Sequence, residues 1–190
     1  YPAGWLRCKS CTGLVEYLEV MDKSLPPEKI FKSYDIRGVY PNEINEDFAI
    51  TVAGLVSDIQ LLTKLIKAQI KLDELRRGKK IKAVEAVNML ANLIYNNSRK
   101  FSAIPGITGF LFGGRDKDGY YLYELGMDGS LTKFDDYTTT GSGMLFATGV
   151  LEANYKEGLN VEEGIKLAAR AVNAAMQRDA ATGEGIDVMT

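Results

Sequence analysis

The sequence predicts an α+β fold in which antiparallel β-sheets are covered by layers of helices. Strand patterns occur in groups, and helix patterns come as pairs between those groups. A doubly wound parallel sheet would instead place one helix after each strand. The chain has 190 residues, of which 46% are hydrophobic and 25% are charged. We therefore expect a globular core that needs neither disulfides nor a metal.

Regular structure begins at Phe48. Residues 1–47 are irregular and contain four of the five prolines. Residues 48–54 read as a buried strand that ends in glycine. The helix that follows has an apolar stripe formed by Leu55, Ile59, Leu62, Ile66 and Ile70. We interpret the cations around Gly78 as a solvated helix end, not as a binding patch. They are Arg76, Arg77, Lys79, Lys80 and Lys82.

A second amphipathic helix and three strands are predicted next. The helix carries Val84, Val87, Leu90 and Ile94 and ends at Asn96-Asn97-Ser98. The first strand, Ile107–Phe112, closes on Gly113-Gly114, and the charged residues 115–119 form a hairpin turn. Residues 120–125 and 131–134 are predicted as the other two strands, with a turn between them.

Two further helices and a final strand complete the prediction. One helix begins at Gly141-Ser142-Gly143 and runs to about Tyr155. The longest helix is Val161–Asp179, and residues 181–185 break the chain before a strand at Ile186–Met189. Its packing face is predicted to consist of Ile165, Leu167, Ala168, Ala171, Val172, Ala175 and Met176.

Composition excludes several kinds of chemistry. The chain has no histidine, which rules out Ser-His-Asp and Cys-His triads and HExxH zinc sites. A base must then be a carboxylate, a lysine, a tyrosine or an N-terminal amine. The net charge of −2 argues against a dedicated nucleic-acid binder, and no apolar run approaches the ~20 residues of a membrane-spanning helix.

The two cysteines favour a reducing, intracellular compartment because they form no disulfide framework. The Cys8–Cys11 pair lacks the second pair or the histidines that a structural zinc site needs. No cofactor and no metal are therefore expected.

Six blocks of sequence between residues 48 and 190 resemble proteasome β subunits of the archaeal type, which are N-terminal nucleophile hydrolases. The blocks stand in the order typical of that family over about three-quarters of the chain. They are Thr51–Gly54 with Ser57–Gln60, Gly113-Gly114 with 120–125 and 128–130, Thr140–Gly143, Gly149–Glu152 with Tyr155, Glu162–Gly164, and Arg178–Val188.

The resemblance implies a four-layer α–β–β–α sandwich with two antiparallel sheets. Residues 1–190 would form a single β-type domain, with an atypical segment at 1–47 and a matching body at 48–190. The expected assembly is a cytoplasmic heptameric β ring, stacked on a second β ring and flanked by α rings. Expected partners are other β subunits, α-ring subunits, an ATPase regulator acting through the α ring, and unfolded polypeptide substrates, with no nucleic acid and no membrane.

The resemblance also implies a mechanism. In this family an N-terminal threonine hydroxyl attacks the peptide carbonyl while the terminal amine takes the proton. Carried over by position, the Gly54 N–H would stabilise the oxyanion, and Ser142, Asp179 and Thr182 would support the amine. Thr182 stands where the family usually has serine. The stretches around Gly54, Ser142 and Asp179 are expected to frame one cavity.

Each of these residues also fits a purely structural role. Gly54 could be a tight-turn glycine, and Ser142 a helix N-cap. Asp179 could be the C-terminal residue of a helix that leads into an ST-turn. Only the matching order of the blocks favours the catalytic interpretation.

The nucleophile is not identified. The first residue is Tyr1, where the family has threonine. Thr12 is a candidate because of its distance along the chain from Ser142, but Cys11 precedes it where glycine is usual. Ile44 stands near the position of the expected supporting lysine. A non-catalytic ring subunit is therefore the alternative function.

Residues 21–41 resemble a different family. Phe31–Pro41 is similar to the opening of phosphohexomutases of the phosphoglucomutase type. A composite sequence that carries such an N-terminal stretch is a further alternative. A working mutase is not expected, because the histidine that accompanies its phosphoserine is missing.

Overall fold

The computed structural model describes residues 44–102, 106–183, 185, 186, 188 and 190. Thr12, the Cys8–Cys11 pair and the mutase-like stretch at 21–41 lie outside the described residues. The chain divides into two compact units, and the division falls between Gly141 and Ser142. We call the described residues up to Gly141 the sheet unit and those from Ser142 onward the helical unit.

The sheet unit contains one antiparallel sheet of four strands. They are β1 (Phe48–Gly54), β2 (Thr108–Asp116), β3 (Gly119–Leu125) and β4 (Leu131–Phe134), which neighbour one another in sequence order. Two helices, α1 (Val56–Arg77) and α2 (Ala83–Ser98), lie between β1 and β2 in the chain. The predicted antiparallel pairing and the helix pair are confirmed.

The hydrophobic core lies between this sheet and its two helices. Alternate residues of a strand point to one face, and the register places Ile50 opposite Phe112, which in turn faces Tyr123. All three are buried. The helices contribute buried side chains at helical spacing, namely Leu62, Ile66 and Ile70 from α1 and Ala86, Val87, Leu90 and Ile94 from α2.

The opposite face of the sheet is also rich in small and apolar residues. One row across the strands consists of Ala49, Gly113, Leu122 and Phe134. Leu111 lies in the neighbouring row, which is otherwise polar, and these five residues are half-buried. Such composition is typical of a face that packs against another layer, because apolar surface gains free energy when it leaves water.

The helical unit consists of α3 (Met144–Asn154) and α4 (Val161–Arg178), which pack against each other. A capping box begins α4: the Asn160 side chain accepts the Glu163 N–H, and the Glu163 side chain accepts the Asn160 N–H. The helix ends one residue before the predicted Asp179.

The predicted packing face of α4 is partly wrong. Ala168 and Val172 are exposed, whereas Ala169 is buried. The reason is that α4 buries two sides. Leu167, Ala171 and Ala175 form a buried stripe spaced by four residues, while Ala169 packs with Ile186 in a separate cluster. A single apolar stripe is therefore an incomplete description of this helix.

Three smaller predictions also need correction. Val84 is exposed on α2, and Leu55 precedes α1 instead of belonging to it. Strand β2 does not close at Gly113-Gly114 but continues to Asp116, because both glycines remain paired with β1 and β3. The turn of the hairpin is consequently shorter than expected.

The predicted strand at Ile186–Met189 is not found among the described residues of that segment. Ile186 and Val188 belong to no strand, and Asp187 and Met189 lie outside the described residues. A strand needs a neighbour to receive its backbone hydrogen bonds. In the described part of the helical unit, only helices and turns are available.

Candidate functional site

Three of the four predicted site residues meet in the helical unit. Asp179 is the residue immediately after α4, and its N–H donates to the Ala175 carbonyl at 2.8 Å. Ser142 stands just before α3, and its hydroxyl donates to Asp179 Oδ2 at 2.5 Å. The Thr182 hydroxyl donates to the same oxygen, also at 2.5 Å. We call these three residues the Asp179 cluster.

The turn that follows α4 explains how Thr182 reaches Asp179. The Thr182 N–H donates to the Asp179 carbonyl at 3.2 Å, which folds the chain back after the helix. The Ala181 N–H donates to Asp179 Oδ1 at 3.3 Å. A side chain that accepts from its own following backbone is typical of such turns. A turn therefore does follow the helix, but it is formed by the Asp179 side chain and not shown to be an ST-turn, and Asp179 is the residue after the helix, not its last residue.

The N-cap interpretation of Ser142 is wrong. Gly143 occupies the N-cap position of α3, and no side chain caps this helix. The Ser142 hydroxyl is directed to Asp179 instead. An N-cap role would require the hydroxyl oxygen to accept a backbone N–H of the first turn, and α3 has no such side-chain cap.

Gly143 packs beside the Asp179 cluster, and sequence reasoning missed its role. A Cβ at this buried position would lie 2.7 Å from both Ala175 Cβ and Thr182 Oγ1. No real side chain tolerates such contacts, so glycine is needed for the close approach. The signal in the sequence was the second glycine of Gly141-Ser142-Gly143, directly before the helix.

Hydrogen bonding lowers the pKa of the Asp179 carboxyl. The largest cause is the Ser142 hydroxyl, followed by the Thr182 hydroxyl, while partial burial opposes them. Donors to the charged form favour that form, so Asp179 is an anion at neutral pH. A carboxylate of low pKa is a weak general base, but it binds an ammonium group well.

Gly54 lies in the sheet unit, where β1 ends and α1 is about to begin. Its φ is +129°, a conformation that side chains rarely adopt. A Cβ here would overlap the Ile107 carbonyl oxygen, which accepts the Leu55 N–H at 3.0 Å. The backbone conformation and the neighbouring strand thus both require glycine at this corner.

Residues of the basic run around Gly78 form ion pairs, and Arg76 and Arg77 lie in the last turn of α1, as a helix end that complements the dipole would have them. Lys80 pairs with Asp47 at 2.7 Å, and Lys82 pairs with Asp118 at 2.8 Å. Arg77 pairs with Asp73 on its own helix at 2.9 Å. These contacts join the loop between α1 and α2 to neighbouring segments of the sheet unit.

Among the residues that the structure describes, no group of acidic or cysteine side chains is arranged to hold a metal ion. None of their helices combines the length and the apolar character that crossing a bilayer requires.

Comparison with known proteins gives consistent results. Residues 21–190 match the sequence profile of a family described as "Proteasome subunit". The chain is 38% identical over 163 residues to proteasome subunit beta of Methanopyrus kandleri, covering 86% of this chain and 71% of that protein. It is 41% identical over 146 residues to proteasome subunit beta of Methanocorpusculum labreanum, covering 77% and 67%. It is 41% identical over 149 residues to proteasome subunit beta 2 of Pyrococcus abyssi, covering 78% and 69%.

Proposed function

The chain belongs to the proteasome subunit family as a β-type subunit, and on that basis we propose that it serves the degradation of unfolded polypeptides inside the core particle. In this proposal the Asp179 cluster is the supporting half of an N-terminal nucleophile site. The observation that carries the proposal is the convergence of Ser142 and Thr182 on one oxygen of Asp179.

The cluster is suited to hold the amine of an N-terminal nucleophile. Both hydroxyl donors use Oδ2, whereas Oδ1 accepts the longer bond from the Ala181 N–H at 3.3 Å. A carboxylate oxygen has more than one acceptor position, so Oδ1 would also accept from an ammonium or amine group. Because the pKa of Asp179 is lowered, the carboxylate stays charged and does not compete for the proton of the attacking hydroxyl. The amine then remains the base, as this chemistry requires.

Gly54, in the sheet unit, is assigned the oxyanion role in this proposal. Its backbone N–H would stabilise the negative oxygen that forms when the nucleophile attacks the carbonyl. A donor of this kind must be held in place before the reaction to lower the barrier. The rigid corner between β1 and α1, fixed by the Ile107 carbonyl, favours such preorganisation.

The two-sheet sandwich belongs to the same proposal. The row formed by Ala49, Gly113, Leu122 and Phe134 is apolar, and it lies on the face that α1 and α2 do not cover. Packed sheets stand about 10 Å apart and interdigitate their inner side chains, which suits this mixture of small and large residues. We propose that a second sheet packs on this face.

The proposed setting is a heptameric β ring in the cytoplasm, stacked on a second β ring and flanked by α rings. Assembly with other proteasome subunits follows from the family. An ATPase regulator would deliver substrates through the α ring. No nucleic acid or membrane has a part in this proposal.

Peptide hydrolysis by the purified particle tests the site. The particle carrying this chain is incubated with a fluorogenic peptide, and the initial rate is compared with that of Asp179→Asn. We expect the variant to assemble and to lose at least about a hundredfold in rate, because the amine loses its charged partner. Asp136→Asn, which changes an exposed carboxylate elsewhere, is the matched control and should keep the wild-type rate.

The alternatives of the sequence analysis are separate outcomes of this experiment. An intact particle whose sites containing this chain cleave nothing would show a non-catalytic ring subunit. Loss of cleavage in Thr12→Ala would assign Thr12 as the nucleophile, and unchanged cleavage would exclude it. A peptide of the native protein that spans Asn45 to Thr51 would contradict a composite sequence, and turnover of a hexose phosphate would be needed to support a mutase.

A further inference from the structure

A groove in the sheet unit lies between the loop that joins α1 to α2 and the β2–β3 hairpin. Residues 79–82 and Glu85 form one wall, and Asp47 with residues 115–120 forms the other. We call it the loop–hairpin groove. It encloses about 680 Å³, within the range of roughly 300–1,000 Å³ that is typical of small-molecule sites.

Contacts across the groove fix its two walls. Lys82 Nζ donates to Asp118 Oδ2 at 2.8 Å, and these residues are 36 positions apart in the chain. The Ala83 N–H donates to Asp116 Oδ2 at 2.9 Å. The shape of the groove is therefore set before a ligand arrives, which reduces the entropy lost on binding. The basic run around Gly78 supplies only one of the walls, so the chain order alone does not reveal the groove.

The carboxylates that line the groove are already engaged by the protein itself. They are Asp47, Glu85, Asp116 and Asp118. Asp118 accepts from Lys82, and Asp47 accepts from Lys80 at 2.7 Å. Glu85 accepts from Arg77 at 3.0 Å, and Asp116 accepts two backbone N–H groups. Their negative charges are thus offset within the chain.

Three cations of the groove are not neutralised in this way. Lys79 and Lys117 are exposed, and neither forms an ion pair or a hydrogen bond with a described residue. Arg115 Nε lies 3.7 Å from Asp47 Oδ1, which is longer than a hydrogen bond, and its side chain is 64% exposed. Lys79 belongs to the loop, whereas Arg115 and Lys117 belong to the hairpin. Uncommitted positive charge therefore lines both walls.

This arrangement suits an anion that reaches both walls and carries several charges. A guanidinium binds phosphate oxygens through two parallel hydrogen bonds, and an ammonium binds them as a point charge. One phosphate group carries about two charges at pH 7, which is fewer than three cations can balance. We propose that the loop–hairpin groove binds a chain of linked phosphates, either free or as part of a nucleoside triphosphate.

Tyr120 separates these two forms of the ligand. It lies directly opposite Arg115 in the hairpin, lines the groove and is 83% exposed. Exposed aromatic rings stack on nucleobases. A nucleotide would use this ring, and free polyphosphate would not. The groove includes neither Gly54 nor a residue of the Asp179 cluster, so this inference stands or falls independently of the proposed function.

Calorimetric titration of the full chain tests the proposal, with sodium tripolyphosphate and inorganic phosphate as the probes. We expect saturable binding of one tripolyphosphate per chain at low salt, at least about tenfold tighter than the binding of phosphate, because only the longer anion reaches both walls. The difference should shrink as salt screens the charges.

Three double variants make this test specific to the groove. Lys79→Ala/Lys117→Ala should weaken tripolyphosphate binding at least about tenfold. Lys79→Arg/Lys117→Arg keeps the charges and should retain most of the affinity. Lys100→Ala/Lys156→Ala is the matched control, because it removes the same charge at exposed positions outside the groove and should bind like the wild type.

Titration with ATP distinguishes the two sources of the phosphate chain. If the ligand is a nucleotide, ATP binds more tightly than tripolyphosphate, and Tyr120→Ala weakens ATP binding about fivefold or more while tripolyphosphate binding stays unchanged. If the ligand is free polyphosphate, ATP gains no affinity and Tyr120→Ala affects neither probe. Both outcomes support a phosphate-chain site.

Other results would overturn the proposal. Absence of saturable binding of tripolyphosphate and of ATP would show that the groove holds no phosphate chain. Equal losses in Lys79→Ala/Lys117→Ala and Lys100→Ala/Lys156→Ala would mean that only the total charge of the chain matters. Phosphate that binds as tightly as tripolyphosphate would show that the ligand does not bridge the two walls.

Discussion

Asp179 accepts two hydroxyl donors on one carboxylate oxygen, and this arrangement governs the charge of the side chain. The lowered pKa means that the folded chain binds a proton at this site less readily than the unfolded chain does. The stabilisation is therefore complete above the ordinary pKa of an aspartate. It is lost as the pH falls through the lowered value.

Removal of one donor should be visible directly. We expect Ser142→Ala to raise the pKa of Asp179 toward its ordinary value, because Ser142 is the largest cause of the shift. A carbon-detected NMR titration of the carboxyl measures this. Ser130→Ala, which instead removes a hydroxyl bonded to Asp128, should leave the Asp179 titration unchanged.

Thermal melting checks the direction of the pKa shift of Asp179. The wild type should be more stable than Asp179→Asn at neutral pH. The difference between their melting temperatures should narrow below about pH 4, where an ordinary aspartate takes up its proton. A gap that widens on acidification would contradict the assigned direction of the shift.

Gly143 gives a second prediction for a single residue. Gly143→Ala should lower the free energy of unfolding by about 1–3 kcal/mol, because its Cβ would overlap Ala175 and Thr182. Gly149→Ala is the matched control within α3, since a Cβ there meets nothing within 4 Å. The control should be neutral or more stable by up to about 1 kcal/mol in urea unfolding. Equal effects of the two substitutions would refute the packing role of Gly143.

The sequence indicated part of this cluster, and its limits were physical. The order of the blocks pointed to Ser142, Asp179 and Thr182, and all three do meet. Local rules assigned Ser142 to a helix N-cap, because those rules consider only neighbours along the chain. The competing acceptor, Asp179, is 37 residues away. The tight approach at Gly143 was equally invisible without the packing of α3 on α4.

At the scale of elements, the start of α2 is held by a residue from the β2–β3 hairpin. Asp116 Oδ2 accepts the Ala83 N–H at 2.9 Å, and Oδ1 accepts the Asp118 N–H at 2.8 Å. Burial acts to raise the pKa of Asp116, but these backbone donors outweigh it and the pKa is lowered. Since Lys82 supplies no side-chain cap, Asp116 performs that role from a distance.

Asp116→Ala should therefore destabilise the chain by about 1 kcal/mol, the usual effect of losing a helix cap. Asp135→Ala is the control, because Asp135 is exposed and pairs only with the exposed Lys133 among the contacts described for it. Its effect should lie within about 0.5 kcal/mol of zero. Chemical denaturation measures the free energy of unfolding of both variants. A larger loss for Asp135→Ala than for Asp116→Ala would contradict the capping role of Asp116.

The corner between β1 and α1 requires glycine at position 54. Gly54→Ala should cost about 1–3 kcal/mol in unfolding free energy, since it combines a disfavoured φ with a clash against the Ile107 carbonyl. Gly78→Ala is an informative comparison, because its φ is also positive but nothing lies within 4 Å of the added Cβ. A smaller cost for Gly54→Ala than for Gly78→Ala would contradict the assigned clash.

Helices and strands that bury a single face were predicted well. Helix α4, which buries two faces, was predicted less well. Strand β1 and strand β4 have the predicted bounds, and α2 ends at the predicted Ser98. A single buried face describes β1 and α2, whereas the short β4 is bounded by turn residues. Helix α4 buries residues on two sides, so a single stripe misplaced Ala168 and Val172. The expected C-terminal strand depended on a pairing partner that the sequence pattern could not supply.

For the whole molecule, the antiparallel sheet and the paired helices followed from the order of elements alone. The second sheet and the ring came only from the family resemblance, because they depend on surfaces that meet other layers and other chains. The apolar row on the outer face of the sheet is such a surface. Patterns within one chain reveal that this row is apolar, but not what covers it.

Electron cryo-microscopy of a particle purified through a tag on this chain tests the central claim most directly. The account predicts a ring that contains this chain, with an N-terminal amine within hydrogen-bond distance of the Asp179 carboxylate. A chain found in no ring, or an Asp179 whose only partners in the ring are Ser142, Thr182 and its own turn, would contradict it.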